Sequence, residues 1–153
     1  NIVIKKKKFM AKFAQGKFRC KNPEKYLGKS SPLYRSSWEF TMMKFCDEHN
    51  SIINWTSESI RIPYVNPLTG KRTTYVPDFL IAYVDRNGKN RTELIEVKPS
   101  SQAIRENIGR SQHNRAHYIL NQAKWAAASA WCKQQGITFR IITEKDIFHY
   151  GKR

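Results

Sequence analysis

The chain has 153 residues, a length at which a single domain closes one hydrophobic core. Its 28 Lys and Arg residues against 12 Asp and Glu give a net charge of +16, which favours a polyanion such as nucleic acid as partner. No apolar run reaches membrane-spanning length and no secretory signal is visible, so we expect neither a membrane protein nor an exported one.

The N-terminal region is basic and irregular. Residues 1–9 carry the run Lys5–Lys8, and Met10 fits a natural start, so residues 1–9 are interpreted as an extension lying upstream of that start or added for expression. Without these lysines the charge is still 24 − 12 = +12. Residues 10–32 are predicted to form a basic arm, whose aromatic residues either pack on the core or lie with its lysines along a phosphate backbone.

The first helix is predicted to run from Ser31 to about Asn50. Glu39 lies at the edge of its apolar stripe, and Arg35, one turn earlier, either pairs with Glu39 or holds a phosphate. The stripe has helical spacing and is expected to face the core: it consists of Trp38, Met42, Phe45 and Cys46.

A β-hairpin is the centre of the predicted domain. Its strands are Thr74–Val84 and Thr92–Lys98, and the loop between them contains Asn87-Gly88, a hairpin signal. Pro77 within the first strand indicates a strand start, an edge or a bulge. Glu96 and Lys98 share one face because side chains two apart in a strand point the same way, and the hairpin folds Asp78 back towards them.

Two carboxylates beside an ammonium group suggest phosphoryl chemistry. Asp78 and Glu96 are suited to hold a magnesium ion, and Lys98 could orient a water molecule or stabilise developing charge. The alternative at this point is an exposed hairpin whose charges are only solvated.

A second long helix and a last strand complete the prediction. The helix is expected from about Arg115 to Gln134, ending at Gly136 as a C-terminal cap, and the strand covers Ile137–Thr143. An extended stretch, Ile52–Tyr64, precedes the hairpin. The packing face of the second helix is predicted to consist of Ile119, Leu120, Ala123, Ala126, Ala127, Ala130 and Trp131.

Cysteines and histidines give weaker signals. Cys20, Cys46 and Cys132 contain no CxxC pair, which favours free thiols in a reducing compartment over a zinc site. His113 and His117 have a metal-compatible helical spacing, but surface or phosphate-contacting histidines are the favoured interpretation.

Pro77-Asp78 followed by Glu96-Val97-Lys98 resembles the PD-(D/E)XK nuclease signature. The resemblance implies a restriction-endonuclease-like α/β fold with a mixed sheet and an αβββαβ core, here assigned to residues 33–153. It also implies a magnesium site, with manganese as substitute, held by Asp78, Glu96, the Val97 carbonyl and Glu39. The catalytic residues that it implies are Glu39, Asp78, Glu96, Lys98 and Gln122.

Further stretches resemble the head completion nucleases of large tailed bacteriophages, and the C-terminal half is similar to the transposon-end endonuclease TnsA. The stretches that resemble the head completion nucleases are residues 22–26, residues 34–39 and the hairpin. The resemblance implies a DNA endonuclease acting on packaged genome or its ends, in the host cytoplasm or associated with the virion, with capsid, portal or other head completion proteins as partners. The alternatives are a TnsA-like, junction-resolving or repair endonuclease, or a catalytically idle DNA-end-binding capsid protein. The residues predicted to contact double-stranded DNA are Arg35, Lys71, Arg72, Arg105, Arg110 and Lys124.

Overall fold

A computed structural model describes residues 15–103, 109 and 111–146. In chain order its elements are β1 (Gly16–Lys17), a 3-10 helix (Pro23–Lys25), β2 (Leu33–Tyr34), α1 (Ser37–Glu48), β3 (Ile52–Ser57), β4 (Ile62–Val65), β5 (Arg72–Tyr75), β6 (Phe79–Val84), β7 (Asn90–Val97), α2 (Ser100–Ala103), α3 (Gln112–Gln135) and β8 (Thr138–Ile142).

A four-stranded mixed sheet with the order β3-β6-β7-β8 forms the centre of the fold. The pairs β3–β6 and β6–β7 are antiparallel, whereas β7–β8 is parallel because α3 provides the crossover between them. Since α1 precedes β3, the core reads αβββαβ, which confirms the predicted fold class. The strands β4 and β5 form a separate two-stranded hairpin inserted between β3 and β6, and we call it the accessory hairpin.

The two faces of the sheet carry separate apolar clusters, as the alternation of side chains along a strand requires. On β7, Ile95 and Val97 pack with α1, whereas Leu94 packs with Trp125 of α3. Glu96 is two residues after Leu94 and therefore points to the same face of the sheet. Asp78, just before β6, is two residues before Leu80, which packs in the same cluster as Leu94. The side chains of Asp78 and Glu96 therefore lie on the α3 side of the sheet.

The predicted strand Thr74–Val84 is wrong as a single element. Its first part, β5, pairs with β4 in the register Ile62↔Tyr75, whereas β6 pairs with β3 and β7. Pro77 lies at the division, where a residue without an N–H group cannot continue a ladder. The proline is thus best described as preceding a strand start, one of the options that the sequence indicated.

The first helix begins at Ser37 rather than Ser31. The hydroxyl of Ser36 accepts the N–H of Glu39 at 3.1 Å and satisfies one free donor of the first turn. The prediction that Gly136 caps the C-terminus of α3 is confirmed, because Gly136 adopts the left-handed conformation with φ of 71°.

The predicted packing face of α3 is partly wrong. Ile119 is 48% exposed, and Ala126 and Ala130 are also exposed. A face rotated around the helix axis is buried instead, consisting of Asn121, Trp125, Ala128 and Cys132.

The N-terminal segment packs on the core from residue 15 onward. Phe18 is buried with its ring against those of Phe40 and Trp55. The buried carboxylate of Asp47 accepts the N–H groups of Lys21 and Asn22, both at 2.9 Å. In the described part of the arm, Phe18 and Tyr26 pack inward on the core, which is one of the two arrangements that the sequence left open.

Two further predictions concern cysteines and membranes. The three cysteines are free thiols, with Cys46 and Cys132 buried. Among the described residues, no helix combines the length and apolarity that crossing a membrane requires.

Candidate active site

The end of the β6–β7 hairpin brings Asp78, Glu96 and Lys98 together. The register Phe79↔Ile95 places Asp78 beside the end of β7, and its Oδ2 accepts the N–H of Val97 at 2.7 Å. Lys98 Nζ lies 3.7 Å from Glu96 Oε1. The geometric convergence expected from the sequence is therefore present, while the catalytic roles of the three residues stay a prediction.

Glu96 is the most enclosed of these groups, with 6% of its surface exposed. Its Oε2 accepts the hydroxyl of Tyr75 at 2.5 Å, and its Oε1 faces the ammonium group of Lys98. A buried carboxylate is costly unless it is paired or hydrogen-bonded. Glu96 is kept in place by a hydrogen bond from Tyr75 at the end of β5 and by the charge of Lys98, the residue that follows β7.

The electrostatics of the cluster favour a bound positive charge. Burial and the repulsion of Glu96 and Glu39 raise the pKa of Asp78 well above its usual value, although the Val97 N–H and Lys98 act in the opposite direction. Burial likewise raises the pKa of Glu96, and Glu39 adds to the effect, against hydrogen bonding by Tyr75 and the charges of Lys98 and Lys124. The local cations thus leave part of the carboxylate repulsion uncompensated.

Glu39 belongs both to this acidic group and to the start of α1. Its Oε2 accepts the backbone N–H of Arg35 at 3.1 Å, and its Oε1 lies 3.5 Å from the hydroxyl of Ser36, as in a capping box. Burial is the main reason that its pKa is raised. Its charge also acts on Asp78 and Glu96. The capping role is visible in these contacts, and a metal-binding role remains a prediction.

Arg35 does not use its side chain on Glu39. Its guanidinium group forms a two-pronged pair with Glu58, from Nε to Oε1 at 3.0 Å and from Nη2 to Oε2 at 3.2 Å. Glu58 has a left-handed backbone with φ of 52°, and its N–H donates to the carbonyl of Asp78 at 3.0 Å. The guanidinium group is thus paired with Glu58 rather than Glu39 at the edge of the site, and the predicted phosphate contact of Arg35 stays a prediction.

Only one of the two polar residues predicted from α3 turns towards the acidic group. Lys124 Nζ lies 5.7 Å from the centre of the Tyr75 ring, and its charge acts on Glu96. Gln122 is exposed. Residues two apart on an α-helix differ by about 200° around its axis, so the two side chains leave opposite flanks of the buried face. The catalytic role predicted for Gln122 stays a prediction.

The remaining residues predicted to contact DNA are distributed as follows. Lys71 and Arg72 are exposed on the accessory hairpin, whereas Arg105 and Arg110 lie outside the described residues. His113 and His117 are exposed with ring centroids 4.3 Å apart. Within the described part of the chain, no three His, Cys, Asp or Glu side chains form a group that could hold a metal ion by themselves.

Sequence reasoning missed Tyr75 and Glu58. Tyr75 reads as an ordinary strand residue, and only the pairing of β5 with β4 directs its hydroxyl to Glu96, 21 positions later. Glu58 follows β3 without any turn motif, and its partner Arg35 is 23 positions away. The proximity of each pair depends on tertiary structure and has no local sequence signal.

The αβββαβ core, with two carboxylates and a lysine at the end of its central hairpin, defines a nuclease of the restriction-endonuclease-like class. The family model described as "TnsA-like endonuclease N terminal" matches residues 49–144. The "Head completion nuclease" of Enterobacteria phage T4 is 31% identical to this chain over 146 residues, covering 89% of this chain and 95% of that protein. The chain therefore belongs to the TnsA-like endonuclease family and is related to a phage nuclease.

Proposed function

We propose that this protein is a magnesium-dependent DNA endonuclease that acts on packaged DNA or its ends while a phage head is completed. The observation that carries the proposal is the convergence of Asp78, Glu96 and Lys98 at one end of the β6–β7 hairpin. The family match supports endonuclease activity. The name of the phage relative supports the setting of head completion.

The residues present fit a hard divalent cation. Asp78 and Glu96 offer carboxylate oxygens, and their raised pKa values reflect burial and repulsion that a cation would relieve. Magnesium is bound by one or two carboxylates and keeps several waters, so a closed cage of protein ligands is not needed. We assign Asp78, Glu96 and the Val97 carbonyl as ligands, with Glu39 as a further one, and expect Mn²⁺ to substitute.

A bound magnesium ion would supply Lewis acidity towards a phosphoryl oxygen and a lowered pKa for a water molecule. Lys98 would place its ammonium group beside the reacting phosphate, where it orients the nucleophile and stabilises developing negative charge. Because Glu96 Oε1 lies 3.7 Å from Lys98 Nζ, the same carboxylate positions the lysine. Asp78 is fixed by the Val97 N–H.

DNA binding follows from the charge of the chain. With a net charge of +16, the protein would be attracted to the phosphate backbone of duplex DNA, and its affinity would fall steeply with salt. Lys124 lies close to the acidic group through its contact with Tyr75 and would add a phosphate contact beside Lys98. Arg35, Lys71 and Arg72 extend the proposed contact surface. Partners from the capsid or portal and a location in the host cytoplasm or virion complete the proposal.

Plasmid cleavage tests this function directly. Wild-type protein is incubated with supercoiled plasmid, with Mg²⁺ and with a chelator, and nicked or linear product is expected only with the metal. Lys98→Ala should still shift DNA in a gel and lose turnover, by about 10² or more if the lysine stabilises the transition state. Lys133→Ala, an exposed change near the end of α3, is the matched control and should cleave normally.

A second candidate is a DNA-end-binding protein whose nuclease centre is idle. The observation in its favour is that both Glu96 oxygens already face protein donors, Tyr75 and Lys98. The same assay separates the two functions, because the idle protein would bind DNA and leave plasmid intact with Mg²⁺ as well as with the chelator. A preference for branched over linear DNA would instead favour a junction-resolving nuclease.

A further inference from the structure

We propose that Tyr75 is a positioning residue, which fixes the Glu96 carboxylate in the orientation needed to bind a divalent cation. The inference rests on the proposed function and extends it to the accessory hairpin. It assigns a role in the site to an element that is inserted into the αβββαβ core rather than part of it.

The first observation is the contact itself. The Tyr75 hydroxyl donates to Glu96 Oε2 at 2.5 Å, within the short range typical of a hydroxyl bonded to an ionised oxygen. Tyr75 is 5% exposed and Glu96 is 6% exposed. At such burial, water has little access to replace a lost donor, so the orientation of the carboxylate depends on this hydroxyl.

The second observation is that the tyrosine is held firmly. Its ring belongs to the apolar cluster formed with Ile62, Leu94 and Trp125, and Lys124 Nζ lies over the ring at 5.7 Å. Tyr75 is also the last residue of β5, paired with Ile62 in the accessory hairpin. A donor whose backbone and ring are both fixed can hold a ligand in a defined direction.

The third observation concerns the second carboxylate oxygen of Glu96. With Oε2 held by Tyr75, Oε1 is left beside Lys98 at 3.7 Å, a distance longer than a hydrogen bond. One oxygen is thus fixed and the other remains available to a cation. Hydrogen-bonded partners of ligating carboxylates orient them, and loss of such a partner weakens metal affinity by about 10- to 100-fold.

The test is Tyr75→Phe, which removes the hydroxyl and keeps the ring in its cluster. The matched control is Tyr83→Phe: Tyr83 donates to Glu93 Oε1 at 3.0 Å, so a Tyr–Glu contact of the same kind is removed at the other end of the β6–β7 hairpin. Magnesium affinity is measured by calorimetry on the whole chain without DNA, next to plasmid cleavage as a function of Mg²⁺ concentration. Circular dichroism verifies that both variants are folded.

The expected result is a magnesium dissociation constant raised about 10- to 100-fold in Tyr75→Phe, a matching shift of the cleavage curve to higher Mg²⁺, and wild-type behaviour of Tyr83→Phe. In a Glu96→Gln background, adding Tyr75→Phe should have no additional effect on affinity, because the tyrosine acts through Glu96. Equal affinity of Tyr75→Phe and wild type would overturn the inference.

The outcomes separate this inference from the proposed function. A wild-type protein that binds Mg²⁺ without cleaving plasmid refutes the proposed function, and the calorimetric comparison still decides the role of Tyr75. A cleaving wild type with an unchanged Tyr75→Phe overturns the inference alone. Absence of Mg²⁺ binding by the wild type overturns both.

Discussion

Replacing Asp78 with asparagine should abolish cleavage and, at the same time, stabilise the folded protein. The amide oxygen of the new side chain can still accept the N–H of Val97, which Asp78 Oδ2 accepts at 2.7 Å. The substitution removes a buried negative charge that is repelled by Glu96 and Glu39. A residue retained for function at a cost in stability is expected to behave in this way.

The expected gain is about 1 to 2 kcal/mol at neutral pH, or a rise in Tm of about 2 to 8 °C for a chain of this size. The pKa of Asp78 is raised in the folded state above its ordinary value of 3.8. Above the folded pKa the carboxylate is ionised in both states and lowers stability. Below 3.8 it is protonated in both states, and the penalty is gone. The advantage of Asp78→Asn should therefore shrink as the pH falls through the raised pKa.

Thermal unfolding from neutral pH to acid measures this difference. Asp85→Asn is the control, because the Arg91 side chain and the Lys89 and Asn87 N–H groups lower the pKa of Asp85. That carboxylate contributes stability above its ordinary pKa which is lost in acid, so the control should have the opposite sign. At a Mg²⁺ concentration of about 100 Kd, wild type should gain about 2.7 kcal/mol and Asp78→Asn nothing. A destabilised Asp78→Asn, or a pH-independent gain, would refute the reasoning.

Two further predictions concern DNA binding and the core. Lys124→Ala should make the slope of log affinity for DNA against log salt concentration shallower by about 1, as expected for one lost phosphate contact. The control Gln122→Ala should have the wild-type slope. Equal slopes for all three proteins would remove Lys124 from the DNA surface. Met43 is fully buried, so Met43→Ala should lower the free energy of unfolding by about 2 to 5 kcal/mol. Urea denaturation measures this loss. A loss below that range would mean that the cavity collapses around the new side chain.

The sequence alone was sufficient for the order of the elements in the αβββαβ core and for the convergence of Asp78, Glu96 and Lys98. Period-two alternation is a local property, so Glu96 and Lys98 had to share a face wherever β7 lay. The Asn87-Gly88 loop specified the hairpin that returns Asp78 to them: Gly88 has φ of 75°, and the Asp85 carboxylate accepts two N–H groups of the turn. These signals lie within a few residues of one another.

The predictions that were wrong concern positions where several local patterns in the sequence are equally compatible with the fold. Along α3, alanines stand on several faces, and a small apolar side chain does not reveal whether it is buried. Ala128 is fully buried while Ala126 and Ala130 are exposed, and the polar Asn121 takes a core position. The rotation of the helix, which turns Lys124 towards Tyr75, could not be derived from composition.

The acidic residues of the described part of the chain differ in how their charges are compensated. Glu48 pairs with Lys21, Asp85 pairs with Arg91, and Asp47 accepts backbone N–H groups. Asp78 and Glu96 also accept hydrogen bonds, from the Val97 N–H and the Tyr75 hydroxyl. They nevertheless experience the repulsion of neighbouring carboxylates, although the chain has 28 basic residues against 12 acidic ones. A fold optimised for stability alone would separate these charges. Their concentration at the hairpin end that also carries Lys98 is the arrangement on which the proposed cation and phosphate site rests.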